Sequence, residues 1–217
     1  MTDLATAARA ELIRLWGEAR DAAHDLGHID RVWANAKAIM GDAPGLDVQA
    51  LQMAVIFHDA VNLPKDALDR AQASARSAQA AAGWLRAQGW GTERIALVTH
   101  AIEAHSFSAG ITPQTPEARV LQDADRLEAL GAIGLARMFA VAGSMGGALF
   151  HPDDPLAQHR PLNDRAYALD HLEVKLFGLT QTMQTPTGRA MAEERTEWMF
   201  SFRARLLREI GGGGSFF

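Results

Sequence analysis

Apolar positions recur along most of this chain at the three-to-four-residue spacing of a buried helix face. From about Leu4 to Arg20 an Ala-rich stretch carries Leu12, Leu15 and Trp16 as its apolar marks. Gly27 breaks the next segment, so a second helix is predicted to begin near His28. Asp42-Ala43-Pro44-Gly45 reads as a loop, and Asp47 is placed to cap the following helix, through Phe57. Asn62-Leu63-Pro64 ends that helix. A long helix is predicted from about Asp66 to Gln88, and Thr92 is placed to cap a shorter one reaching His100 or beyond. After a loop from Ser106 to Pro116, Thr115-Pro116 reads as the cap and first residue of a helix that carries Asp125 and runs past Phe139. Gly143 to Pro155 is rich in Gly and Pro and reads as loop. Two helices, about Asn163–Met183 and Thr187–Ile210, complete the pattern.

Composition strengthens this all-α reading. Alanine is abundant, β-branched residues are sparse, and a single tyrosine is present. The 217 residues suffice for one domain with a substantial core, and 48% are hydrophobic. No domain boundary stands out, so a single domain over residues 1–210 is expected, followed by a flexible Gly-rich tail over 211–217. With no cysteine, a disulfide framework or thiolate metal site is excluded, and a reducing cytoplasm fits. No apolar run reaches a membrane span. The net charge of −5, with both signs interspersed, gives no support to a nucleic-acid partner. A homo-oligomer is compatible with all of this.

The chemistry centres on His58-Asp59. This pair closes an apolar run, Ala54-Val55-Ile56-Phe57, in which nothing else is polar. Buried imidazole and carboxylate must be paired or ligated, because uncompensated buried charge is costly. A divalent metal would satisfy both. His28 lies upstream and Asp125 downstream, giving the ordered set His, His-Asp, Asp. His24 shares the i, i+4 spacing with His28 but precedes Gly27, so His28 ranks above it. Asp123 is expected to point away from Asp125, as a solvated carboxylate or a supporting hydrogen-bond acceptor.

These residues resemble the H…HD…D signature of the HD superfamily of metal-dependent phosphohydrolases. His28-Ile29-Asp30-Arg31-Val32 is similar to that family's HxxRV, and Ala124-Asp125-Arg126-Leu127 to its ADxL ending. Longer stretches resemble a small bacterial subgroup called YedJ-like: Phe57-His58-Asp59 through Lys65, Arg70, Ser74 and Ser77; Ala101 through Ser108; Gln122 through Leu135; and Asp170-His171. The resemblance implies a single HD-domain helical bundle holding one divalent metal ion, with Mn, Fe, Ni, Zn and Mg all open. His28, His58 and Asp125 would be ligands, with Asp59 a fourth ligand or bridging group and a catalytic residue. The implied activity is hydrolysis of a small phosphorylated substrate by metal-activated water. A nucleotide comes first as substrate class, by family analogy.

Beside such a metal, Arg70, Ser74 and Ser77, at i, i+4 and i+7, read as a phosphate cradle, with a solvated polar face as the alternative, and Lys65 could reach over the mouth. His105, near a helix end, reads as a phosphate contact or as the catalytic proton donor to the leaving group. His100 and His105 are five residues apart, about 140° on a regular helix, a poor arrangement for one ion. His100 therefore reads as packing or surface, and a dinuclear centre, with the di-iron oxygenase variant of the fold, is disfavoured. The second function is a non-catalytic module that senses a nucleotide or phosphate in the same pocket. The intact ligand set favours the enzyme, because a sensor tolerates the loss of a ligand.

Overall fold

The computed structural model describes residues 3–17, 25–61 and 72–211. Eight α-helices occur among them: α1 Leu4–Trp16, α2 Leu26–Ile39, α3 Val48–Phe57, α4 Ala73–Ala87, α5 Thr92–His105, α6 Pro116–Arg126, α7 Gly131–Ser144 and α8 Pro186–Ile210. No strand is present among the described residues, and one isolated bridge joins Ala148 to Tyr167. The all-α expectation is met. Among the described residues, no single helix is long and apolar enough to cross a membrane.

The chain forms two compact units, Met1–Asp125 with Gln184–Gly188, and Arg126–Met183 with Arg189–Phe217. In the first unit α3 is the central element. Leu51, Met53, Ala54, Val55 and Phe57 are all fully buried, which explains why the C-terminal half of the helix is a continuous apolar run. It packs against α1, α2, α4 and α5. Asp47 caps it as expected, accepting from Gln49 N–H and Ala50 N–H, both at 3.0 Å. Asp47 also takes the Arg94 guanidinium, at 2.7 and 3.0 Å.

The second unit holds α7, the remainder of α8 and the irregular chain between them. Three expectations are corrected here and at the helix ends. The helix placed over Asn163–Met183 is instead turns, a π-turn over Leu172–Leu176 and a 3-10 stretch over Phe177–Thr182. Asp170 is responsible in part: its buried carboxylate takes the Arg160 fork, at 2.5 and 2.8 Å, and Asn163 N–H at 2.7 Å, fixing a turn that helical dihedrals would open. The helix expected to run past Phe139 stops at Arg126, passes through a short 3-10 turn, and α7 begins only at Gly131. Leu130 is extended and Gly131 has φ +70°, a left-handed conformation that glycine adopts without strain. Thr92 begins α5 as its first residue; Gly91 is the cap.

Asp123 is neither solvated nor idle. It is fully buried and accepts from Gln184 N–H, Thr185 N–H and the Thr185 hydroxyl at 2.8–3.1 Å. It thereby anchors the start of α8, where Thr185 Oγ1 in turn accepts from Gly188 N–H. Gly188 allows this close approach, since a Cβ there would lie 2.5 Å from Asp123 Oδ2 and 2.7 Å from Thr185 Oγ1. Gly188→Ala is expected to destabilise the fold by roughly 1–3 kcal/mol, read as a lower midpoint in urea with an unchanged slope.

Candidate metal centre

Four polar side chains aim their reactive atoms at one small volume in the first unit, and a fifth stands beside it. Each is placed by a helix end. His28 lies in the first turn of α2, where Asp25 caps the helix by accepting from His28 N–H at 2.7 Å. His58 terminates α3, and Asp59 follows it. His105 is the last residue of α5, and Asp125 is one residue from the end of α6. Three helices thus bring their carbonyl ends to the site. Those ends carry partial negative charge and favour a cation.

The ligand atoms fall into two groups that could each hold an ion and that share His58: His28, His58 and Asp125, and His58, Asp59 and His105, the atoms of each lying within 4.8 Å of one another. His28 Nε2 and His58 Nε2 are 3.2 Å apart. Asp59 Oδ2 lies 3.6 Å from His28 Nε2 and 3.3 Å from His58 Nε2. Asp125 Oδ1 lies 3.5 and 3.8 Å from the same two atoms. Donors bound to a transition metal at about 2.1 Å sit about 3.0 Å apart at neighbouring octahedral positions and about 3.4 Å apart in a tetrahedron. The observed separations exceed the octahedral spacing by about 0.2 to 0.8 Å. His105 Nε2 faces the other oxygen of Asp59, Oδ1, at 3.7 Å.

The hydrogen bonds fix which atoms are free to ligate. His58 Nδ1 is 2.8 Å from Val55 O, and a carbonyl accepts only from N–H. The neutral His58 ring therefore presents an Nε2 lone pair to the site. His105 repeats the device, its Nδ1 lying 2.5 Å from Ile102 O. A ring whose outer nitrogen is held by a carbonyl is the usual support of a metal-bound histidine. Two imidazoles and two carboxylates form a mixed N/O donor set for a divalent cation. The two rings are buried, whereas the Asp59 and Asp125 side chains are 21% and 28% exposed. Solvent and a ligand therefore reach the site on its carboxylate side.

Electrostatics agree. Burial disfavours the His58 imidazolium, but the Asp59 and Asp125 carboxylates and the Val55 carbonyl push it up to about 9. Burial alone would raise Asp59; the charge of His58 and hydrogen bonds from His105, His28 and His58 hold it well below the usual carboxylate range. Asp125 is likewise lowered, burial being outweighed by the charges of His58, His105 and His28. The chain gathers two carboxylates that stay ionised, and without a cation it compensates by holding a proton on an imidazole.

Among the remaining expected site residues, Lys65 and Arg70 lie outside the described residues, as does His24. Ser74 and Ser77 are on α4, 4% and 0% exposed. The Ser77 hydroxyl is engaged locally: Val61 N–H donates to it at 2.9 Å, which fixes the chain two residues after Asp59. His100 Nε2 accepts from Gln114 N–H at 2.9 Å and serves the loop before α6. Three contacts next to the site were not foreseen. Trp16 Nε1–H donates to Asp59 O at 2.9 Å, Asn35 Nδ2 to Ala124 O at 3.1 Å, and Gln122 Nε2 to Ala104 O at 2.6 Å. Trp16 read as an apolar mark inside a helix expected to reach Arg20, and no sequence signal pointed to a polar task.

Comparison with known proteins places the chain in a family. The HD-domain family model matches residues 23–130. Bacillus subtilis YpgQ, an uncharacterised protein, is 32% identical over 212 residues, covering 94% of this chain and 95% of its own. The crystal structure of YpgQ in complex with ADP matches with a TM-score of 0.71 and 32% identity over 97% of this chain and 100% of that one. A Bacillus thuringiensis HD-superfamily hydrolase matches with a TM-score of 0.71 and 27% identity, covering 94% and 95% of the two chains. The chain belongs to the HD superfamily. Its relatives support the superfamily and not the narrower YedJ-like subgroup.

A pH dependence with a definite sign follows. In the metal-free chain, His58 titrates near 9 when folded, against about 6.5 when unfolded. Its proton stabilises the fold fully below about 6.5, and that contribution is lost as pH rises through about 9. The lowered Asp59 and Asp125 act oppositely, stabilising above the ordinary carboxylate range near 4 and losing this as pH falls. Thermal melts with a chelator should therefore show Tm falling between pH 6.5 and 9.5. Added Mn2+ should raise Tm more at the upper end, because protons no longer compete for His58. A flat chelated profile would remove the raised His58.

Proposed function

We propose that this chain is a metal-dependent phosphohydrolase that acts on a small phosphorylated compound, with nucleotides as the first substrate class. The observation that carries this reading is the convergence of His28, His58, Asp59 and Asp125 at ion-binding distances. Membership of the HD superfamily and the ADP complex of the 32%-identical YpgQ support it.

In this reading His28, His58, Asp59 and Asp125 hold one divalent ion. Such an ion would supply Lewis acidity toward a phosphoryl oxygen and would activate water near neutral pH. The chain's own residues do the rest. His58 and His105 are kept in one tautomer by the Val55 and Ile102 carbonyls, so each presents Nε2 without a reorganisation step. Asp59 serves both sides: Oδ2 faces the two imidazoles, and Oδ1 faces His105. It acts as proton acceptor for the attacking water. His105, once it carries a proton on both ring nitrogens, gives the Nε2 proton to the departing oxygen, and Asp59 Oδ1, 3.7 Å away, returns to it the proton taken from the water. Phosphate contacts fall to Lys65, Arg70 and Ser74, while the Ser77 hydroxyl serves the Val61 backbone.

Asp125→Ala should abolish phosphate release while the far-ultraviolet dichroism keeps its helical form, since this carboxylate faces the site and not the core. The measurement is inorganic phosphate released from a panel of nucleoside mono-, di- and triphosphates with Mn2+, Ni2+ or Fe2+ present. Wild-type turnover in the variant would remove Asp125 from the site. Tight nucleotide binding with no release by the wild-type chain would make the pocket a sensor.

Arg70→Ala should weaken substrate far more than metal. A hydrogen bond to a charged group contributes about 1.5–3 kcal/mol, about tenfold to hundredfold in KM if ground and transition states use it equally. An arginine on a solvated face would leave the kinetics unchanged, so steady-state rates with metal content checked in parallel decide its role.

A further inference from the structure

We infer that Trp16, Asn35 and Gln122 are positioning residues: three side-chain N–H donors that set the backbone beneath Asp59, Asp125 and His105, and so fix the spacing of the metal centre. This rests on the metal reading above and extends it to residues that touch no ion.

The site is built on helix C-termini, where the last carbonyls lack intrahelical partners. An uncapped terminus frays, and a frayed terminus carries its ligand with it. Each terminus here is held by a donor from another helix. Trp16, the last residue of α1, donates to the carbonyl of Asp59 itself. Asn35, on α2, donates to Ala124 O, the peptide that links Ala124 to Asp125. Gln122, on α6, donates to Ala104 O, the peptide that links Ala104 to His105. Asn35 and Gln122 are 6% and 2% exposed, so water is a poor substitute for either donor.

The ties also cross-link the ligand-bearing helices. His28 and Asn35 are two turns apart on α2, so the helix that supplies one imidazole also fixes the carboxylate of α6. Gln122 and Asp125 are three apart on α6, so the helix that supplies that carboxylate also fixes His105. Trp16 adds a tie from outside the family core, since it precedes residue 23, where the HD match begins. The first helix thus has a task at the centre beyond covering α3.

The test uses variants that delete the donor and leave an apolar side chain in its place: Trp16→Phe, Asn35→Leu and Gln122→Met. Mn2+ affinity is read from the electron paramagnetic resonance of the free ion, at a temperature where circular dichroism shows each variant folded. Ile39→Val, fully buried on α2 and bonded to none of these groups, controls for general loss of stability. We expect each donor variant to lose about tenfold in Mn2+ affinity, the scale of supporting groups around metal ligands, while Ile39→Val lowers Tm and leaves affinity unchanged. Wild-type affinity in Trp16→Phe and Gln122→Met with a lowered Tm would overturn the inference, leaving ordinary structural bonds. Should Asn35→Leu not fold, the half-buried Trp16→Phe carries the decision. A wild-type chain that takes up no Mn2+ would remove the metal reading and this inference together.

Discussion

Two imidazole Nε2 atoms 3.2 Å apart, in a pocket that buries both rings, need a shared proton or a cation between them. Most of the first unit is arranged around that constraint. Val55 takes the outer proton of His58 and so forces its lone pair inward. Two carboxylates close on the same point. Three helix C-termini add partial negative charge. A proton on one ring can meet the demand of the metal-free chain, and a cation held among these groups would meet it as well.

Asp123 and Asp125 show how tightly the fold separates structure from chemistry. Two residues apart on a helix, they point about 160° away from each other around the axis. Asp123 turns to the start of α8 and spends both oxygens on Gln184 and Thr185. Asp125 turns to the imidazoles. The Asp-Ala-Asp segment therefore ties the end of the chain's longest described helix to the site through opposite faces of one turn.

Much of this was legible in the sequence. The His58-Asp59 pair at the end of an apolar run announced a buried polar site, because such groups are not buried unpaired. Asp47 and Thr115-Pro116 marked helix starts, and Thr115 Oγ1 does accept from Ala118 N–H. What the sequence hid were long-range choices of hydrogen-bond partner. Nothing local says that Asp170 will take Arg160 and Asn163 and so break a helical pattern. Nor does periodicity reveal that Ser77 will serve the Val61 backbone, or that Asp123 will meet Thr185, 62 residues away. The break at Leu130-Gly131 was written as a glycine, but glycine is also tolerated inside helices, so only the observed φ of +70° decides.

The most direct test of the account is anomalous diffraction from crystals of the Mn2+-loaded protein, recorded above and below the manganese edge. The account expects one anomalous peak per chain, within about 2.3 Å of His28 Nε2, His58 Nε2 and a carboxylate oxygen of each of Asp59 and Asp125. Full Mn2+ uptake with no peak among these four side chains, or with the ion bound elsewhere, would contradict it.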